Sequence, residues 1–337
     1  MPHTSLLLAA CAIAASTLLV RGQEPVPQPD FATWLDGVRT EALQRGISPA
    51  TVSRALADVT APEAVVVARD RAQPEEVQSL DRYIQQRVTT AVRRSAQTHA
   101  NHHARKLTSI ESTFGVSKSA VVAIWGLESN FGRFTGTRPI VAALATLAYD
   151  PRRASLFRSE LFHALSILDQ GHVGIDELKG SWAGAMGQPQ FMPSSYLKHA
   201  VDVDGDGKAN IWTSEADVFG SIANYLKHAG WVTGERWGRE VRITRPVMAR
   251  IEDGVPMRRS GCRAVREVTE SRPLAEWTRL GVLQANGTAL PRANMHASLV
   301  RGLNRHFLVY TNYHAFVDYN CSNAYAIAAG LLSDSIK

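Results

Sequence analysis

Residues 121–127, Val-Val-Ala-Ile-Trp-Gly-Leu, constrain this chain more than any other stretch: they are apolar nearly all round and run straight into Glu128. A helix with no polar face is normally buried, yet a carboxylate is almost never fully buried without a partner. Ser117 can cap such a helix at its start, and Ser129, Asn130 and Gly132 fit a helix that stops just after the carboxylate. Glu128 is therefore expected at the floor of a cleft. Apolar walls penalise the charged form of a carboxyl and raise its pKa, as a general acid working near neutral pH requires. For an isolated Glu the plainer reading is an ion pair with Arg at a helix end. The segments that follow favour the acid.

Residues 5–20 form an uncharged apolar run at the N-terminus. The run is short for a membrane span and resembles a signal-peptide core, although only His3 precedes it as a basic region. Cleavage is expected near Gly22, which makes 1–22 a signal peptide. Leu8-Ala9-Ala10-Cys11 also resembles a lipoprotein processing box, but the apolar run continues past Cys11, so a lipid anchor ranks second. Export places Cys262 and Cys321 in an oxidising compartment where they could pair; the alternative is two separate small buried residues. The net charge of +6 suits an acidic polymer or surface outside the membrane. No Lys/Arg block or basic-aromatic stripe appears, which argues against nucleic acid as a partner.

Helical spacing dominates the first two thirds. Phe31, Trp34, Leu35 and Val38 form a stripe closed by Gly46, and Ser48-Pro49 reads as the cap and first residue of the next helix. Leu80, Tyr83, Ile84 and Val88 make another stripe. Residues 93–106 read as a solvated face, because His102 and His103 lack metal-ligand partners at useful spacing. Asp150-Pro151 is expected to open a helix carrying Phe157, Leu161, Leu165 and Leu168. Residues 180–195 are rich in small side chains, which lets a ligand approach the backbone closely. Val218, Phe219, Ile222, Tyr225 and Leu226 form one more helix, stopped at Gly230. From about 240 the period changes, and 241–243, 307–310 and 315–317 read as short strands. A last apolar helix is expected from about Ser322 to Leu332. The fold class is mainly α with minor β structure.

Asp202-Val203-Asp204-Gly205-Asp206-Gly207-Lys208 sets acids at positions 1, 3 and 5 with Gly at 6, the first half of an EF-hand loop. Lys208 could add its backbone carbonyl. Thr213 stands where a Glu is expected, so Glu215 or Asp217 must close a longer loop around calcium. The plainer alternative is a solvated Asp-Gly turn cluster.

Three segments together resemble the membrane-bound lytic transglycosylase B family, glycoside hydrolase family 103, which acts on peptidoglycan. They are Glu128 in its motif, Gly180–Ser195 with Ala183-Gly-Ala-Met-Gly and Gln190-Phe-Met-Pro-Ser-Ser, and Val201–Trp231 with its acidic loop. The resemblance runs from about Pro29 to the C-terminus. It implies a lysozyme-like helical core, over about 105–235 and 320–335, with an added helical region. It also implies an EF-hand-like loop over 202–217 and a mixed segment over about 240–318. By the same resemblance Glu128 is the single acid/base, and Tyr83, Ser181, Gln190, Phe191, Tyr225, Tyr319, Asn320 and Tyr325 line the sugar subsites. Asp202, Asp204, Asp206, Lys208 and Asp217 would hold a structural calcium, with no cofactor for catalysis. This chain departs from the family where Cys321 follows Asn320, which could tie that wall to Cys262, and where its loop lengthens before Asp217.

The residue types suit the chemistry without the family. A glycosidase usually needs a second carboxylate, and none stands out near the Glu128 helix. One is enough if the substrate supplies the nucleophile; the resemblance implies that the muramic acid 6-hydroxyl attacks its own anomeric carbon to give a 1,6-anhydro product. The alternatives are a hydrolytic muramidase on the same fold and a non-catalytic, calcium-dependent wall-binding module. The expected partners are glycan strands, with other wall enzymes as a second class, and the protein is expected to act as a periplasmic monomer.

Overall fold

The computed structural model describes residues 28–72 and 78–337. The expected leader, residues 1–22 with Cys11, lies outside them. In chain order come α1 (Phe31–Gln44), α2 (Pro49–Ala55), α3 (Ala64–Arg71), α4 (Leu80–Arg87), α5 (Thr90–His102), α6 (Ala104–Phe114) and α7 (Lys118–Ser129). Next are β1 (Arg138–Pro139), α8 (Ile140–Tyr149), α9 (Ala154–Asp169), β2 (Lys179–Gly180), α10 (Pro193–His199) and α11 (Glu215–His228). The last third holds β3 (Gly238–Arg242), α12 (Arg245–Gly254), α13 (Arg263–Arg266), β4 (Arg272–Pro273), α14 (Leu274–Leu280) and β5 (Leu283–Gln284). It closes with β6 (His296–Arg301), β7 (His306–Val309), α15 (Thr311–Tyr319) and α16 (Asn323–Ser333). This is the mainly α, minor β architecture that the periodicity predicts.

Helix α7 is the centre of the first core. Val121, Val122 and Ile124 are fully buried because α5, α6, α11 and α16 close around it. These β-branched residues are indifferent helix formers. Burial holds the helix, at roughly 1.5–3 kcal/mol for each large aliphatic side chain removed from water. Its ends are set locally: the Ser117 hydroxyl accepts from Ala120 N at 3.4 Å, and Asn130 ends it in the left-handed region.

A second core joins α1, α2 and α3 to α8 and α9, with Phe191, Tyr196 and Ile211. The expected core of 105–235 is therefore divided. Helices α4 and α5, before it, pack around α7, whereas α8 and α9, within it, belong with the N-terminal helices. Periodicity shows that a helix has a buried face and is silent on which partner covers it.

The third core lies under a five-stranded antiparallel sheet in the order β4-β6-β7-β3-β5. Alternate residues of its central strands serve different cores. Leu299 and Leu308 face α12 and α14, while Val300, Phe307 and Val309 face the α7 core. The sheet thus clamps the C-terminal part of the chain onto the helices.

Three local expectations are corrected. Residues 315–317 are not a strand but part of α15, because Tyr313, Phe316 and Val317 bury one helical face. Helix α9 starts at Ala154 and not at Pro151: the Asp150 carboxylate accepts from Arg152 N and Nε at 3.1 Å and holds a turn. His103 is buried, not on a solvated face, and packs edge-on against Trp125 with Glu215 Oε2 at 3.2 Å from its Nδ1.

Cys262 and Cys321 are joined by a disulfide with Cα atoms 6.3 Å apart. Both residues are exposed, which removes the reading of two small buried side chains. A loop of 59 residues is closed, for which chain-entropy models give on the order of 4 kcal/mol, with real bridges often less. Cys262→Ser with Cys321→Ser should therefore lower Tm by several degrees in non-reducing buffer. Reductant should lower the wild-type Tm towards the same value and leave the double variant unmoved.

Candidate active site

Helix α7 ends where the first two cores meet, and this puts Glu128 at their seam. Asn130, Phe131 and Gly132 all have positive φ, at 50°, 60° and 80°. That run turns the chain sharply away from the helix and leaves the carboxyl open on one side. Glu128 shares a cavity of about 320 Å3 with Gln86, Arg87, Asn130 and Phe134. Among the described residues no second carboxylate lines it.

Burial pushes the Glu128 pKa up to about 7, against smaller opposing effects from the Tyr325 hydroxyl and the Arg87 guanidinium. Tyr325 is buried in α16, and among the described residues its hydroxyl has no geometric hydrogen-bond partner, so it is free for the carboxyl and a ligand. Tyr83, Tyr319 and Tyr325 all stand within electrostatic reach of Glu128, and burial drives the pKa of each upward. They remain neutral hydrogen-bond donors across the pH range in which Glu128 titrates.

The tyrosines are themselves held. Tyr319 donates to Pro189 O at 2.7 Å and Tyr225 to Asp318 O at 2.9 Å, with their rings 4.7 Å apart. Phe191 lies beneath both at 5.6–5.8 Å. At 2% exposure it supports the cleft from below and offers no face to a sugar. Asn320 follows Tyr319 on the surface, with its backbone N bonded to Phe316 O at 3.1 Å. Gln190 is held in a left-handed conformation, φ 52°, while its amide nitrogen donates to Thr135 O and Gly187 O. Its side-chain carbonyl stays available. The Ser181 hydroxyl accepts from Ala183 N and Ala185 N, so it stitches its own turn.

The small residues of 180–195 serve the chain before any ligand. A side chain at Gly136 would collide with the Gly180 carbonyl, and one at Gly180 with Ala185 O. Backbone lies directly on backbone here, which fixes Pro189 and Gln190 beside Tyr319.

Two residues at the site carry no mark in the sequence reading. Arg87 stands one turn after Tyr83, donates to Leu127 O at 2.8 Å and lies over the Tyr83 ring; the i, i+4 spacing was its only signal. Gln188 accepts from Trp125 Nε1 at 2.7 Å and donates to Trp212 O at 3.0 Å. It ties α7 to the acidic loop, a long-range link that no periodicity encodes.

In that loop, carboxylate oxygens of Asp202, Asp204 and Asp217 lie within 4.8 Å of one another. Glu215 turns away to Lys106 at 2.7 Å, which leaves Asp217 as the acid that closes the loop. Asp217 is fully buried and accepts from Val203, Asp204 and Asn210 N. Asp206 accepts from Lys208 N at 2.9 Å and stands outside that trio, while the Lys208 carbonyl and Asp217 Oδ2 accept from the same Asn210 N. An all-oxygen set of converging acids fits a hard cation such as calcium.

Comparison with known proteins identifies relatives of this chain. A family model described as the transglycosylase SLT domain matches residues 30–334. Over 124 residues, 36% of this chain, the sequence is 47% identical to the membrane-bound lytic murein transglycosylase B of Escherichia coli K12. The matched stretch spans about a third, 34%, of that relative's own length. The structure of SltB3 from Pseudomonas aeruginosa in complex with NAG-anhNAM-pentapeptide is similar at a TM-score of 0.80 and 40% identity, covering 90% of this chain and 79% of that one. Slt35 of Escherichia coli in complex with calcium is similar at a TM-score of 0.72 and 28% identity, covering 91% and 92%.

The raised pKa has a consequence for stability. A carboxyl whose folded pKa lies above its unfolded value near 4.5 supports the fold while protonated, and that support is lost as pH rises through about 7. Glu128→Gln cannot ionise, so its Tm advantage over wild type should be larger at pH 8 than at pH 5. The same difference at both pH values would show that the carboxyl is not held in this environment.

Proposed function

The chain belongs to the transglycosylase SLT domain family, and on that footing we propose that it is a peptidoglycan lytic transglycosylase. The observation that carries the reading is Glu128: one carboxyl with a pKa of about 7, ringed by tyrosines, with no second carboxylate in its cavity among the described residues. That SltB3 was solved with an anhydro sugar ligand supports the same chemistry.

Protonated Glu128 donates to the glycosidic oxygen between N-acetylmuramic acid and N-acetylglucosamine, and the C1–O bond breaks. The carboxylate left behind is stabilised by Arg87 and by the Tyr325 hydroxyl. It then takes the proton from the muramic acid 6-hydroxyl as that oxygen bonds to C1. Glu128 ends as it began, the product carries a 1,6-anhydro ring, and no water is consumed. A pKa near the working pH lets one group serve in both directions. Tyr83, Tyr225, Tyr319, Asn320, Ser181 and Gln190 orient the sugars, with Phe191 as support beneath.

The acidic loop is read as a structural calcium site held by Asp202, Asp204 and Asp217. A calcium ion there would neutralise three crowded acids and would lie outside the reaction itself. Because Gln188 links Trp212 to Trp125, order in this loop reaches α7. We place the protein in the envelope, exported by the signal peptide and acting on glycan strands as a monomer, with a lipid anchor at Cys11 as the second choice. No helix among the described residues is long and apolar enough to cross a membrane.

Digestion of purified peptidoglycan should release muropeptides lighter by one water than those of a hydrolase. Reducing-end products by mass spectrometry would instead make the protein a hydrolytic muramidase. Glu128→Gln should lower turnover by roughly a hundred- to ten-thousand-fold. Retained turnover would remove Glu128 from its role. Calcium should raise Tm over chelator in wild type, by binding the folded state alone. Asp204→Asn should shrink that response, and an unmoved wild-type Tm would leave only an acidic turn.

A further inference from the structure

A second cavity, of about 700 Å3, opens where the N-terminal ends of α4 and α16 meet α13 and β6. The chemistry above makes no use of it. Leu80 and Ser322 line it, each three residues before a tyrosine that faces Glu128. Along both helices these lining residues therefore stand about 4.5 Å of helix rise from the tyrosines of the catalytic ring.

Its charged lining is Arg263, Arg266, Arg301 and Glu267. Glu267 is engaged by Arg263 Nε at 2.8 Å and Asn323 Nδ2 at 3.3 Å, and Arg301 by Glu252 at 2.6 Å. Arg266 makes no ion pair among the described residues, and it lies on an arginine-rich stretch with Arg258, Arg259 and Arg263. The Cys262–Cys321 bridge fastens that stretch to the chain just after Asn320, so the basic wall is fixed relative to the cleft. Leu80, Met257, Val300 and Ala324 give the same cavity an apolar side.

We propose that this cavity binds the peptide stem of the substrate, with Arg266 and Arg263 taking a stem carboxylate. The proposal rests on the lytic transglycosylase reading. The stem hangs from the muramic acid whose ring meets Glu128, and it carries free carboxylates and short apolar side chains. At about 3.3 Å per extended residue, two residues of peptide span the turn from cleft to cavity. A guanidinium fork matches a carboxylate with two parallel hydrogen bonds, and the apolar side receives alanine methyls. Arg263 and Arg266 are thus residues that select strands still bearing peptide.

The test measures binding in the Glu128→Gln background, so that cleavage does not intervene. Its ligands are two glycan fragments of equal length, one with its stems intact and one stripped of them by an amidase. The intact fragment should bind about tenfold more tightly, as one charge-assisted contact would give. Arg263→Ala with Arg266→Ala should bring the two Kd values together, and Arg266→Lys should restore part of the gap. Both arginines are exposed, so Tm should hold. A gap unchanged by the double substitution, or no gap in the parent, overturns the proposal. Failure of the underlying reading appears separately, as wild-type protein that yields no anhydro product from either strand.

Discussion

The burial of α7 on all its sides is the constraint on which the rest depends. Four helices, α5, α6, α11 and α16, and part of a sheet must close around one apolar rod whose C-terminal end stays open, and the carboxyl sits at that end. The environment that raises its pKa is the environment that holds the helix. Stability and acid strength therefore have one cause, and loosening the core would ionise the acid. The left-handed run Asn130–Gly132 keeps the arrangement from closing over the carboxyl, because an ordinary helical continuation would have filled the space a ligand needs.

The acidic loop and the acid are joined by side chains and not by proximity of charge. Trp125 on α7 bonds to Gln188, Gln188 bonds to Trp212, and Trp212 follows directly from the loop. Gly132 leaves the room that Gln188 occupies: a methyl group there would strike its Oε1 at 2.5 Å. A cation in the loop would act on catalysis only through this path, by fixing the helix that presents the carboxyl.

What was legible in the sequence was what local chemistry encodes. The Ser117 cap, the stop at Asn130, the Ser48-Pro49 start and the acids of the loop are short-range features, and they stand where the residues put them. Long-range partnership was not legible. The stripes of α8 and α9 are as apolar as that of α7, yet they serve another core, because only the closed structure decides which face covers which. Ala315-Phe316-Val317 is too short a run to distinguish a strand from a helix turn. His103 read as surface because its neighbours are basic, and it in fact turns inward onto Trp125, as His99 does. Phe191 illustrates the limit at the site: residue type and place suggested contact with sugar, whereas its ring is buried beneath Tyr225 and Tyr319.

The order of the chain has a further consequence. Glu128 belongs to the first half of the sequence, but Tyr319 and Tyr325, which complete its surroundings, come from the last twenty residues. Helix α16 packs directly on α7. Until it docks, the carboxyl is solvated and has an ordinary acidity. The acid is thus made by long-range closure: a chain with α16 undocked has its carboxyl but lacks its raised pKa.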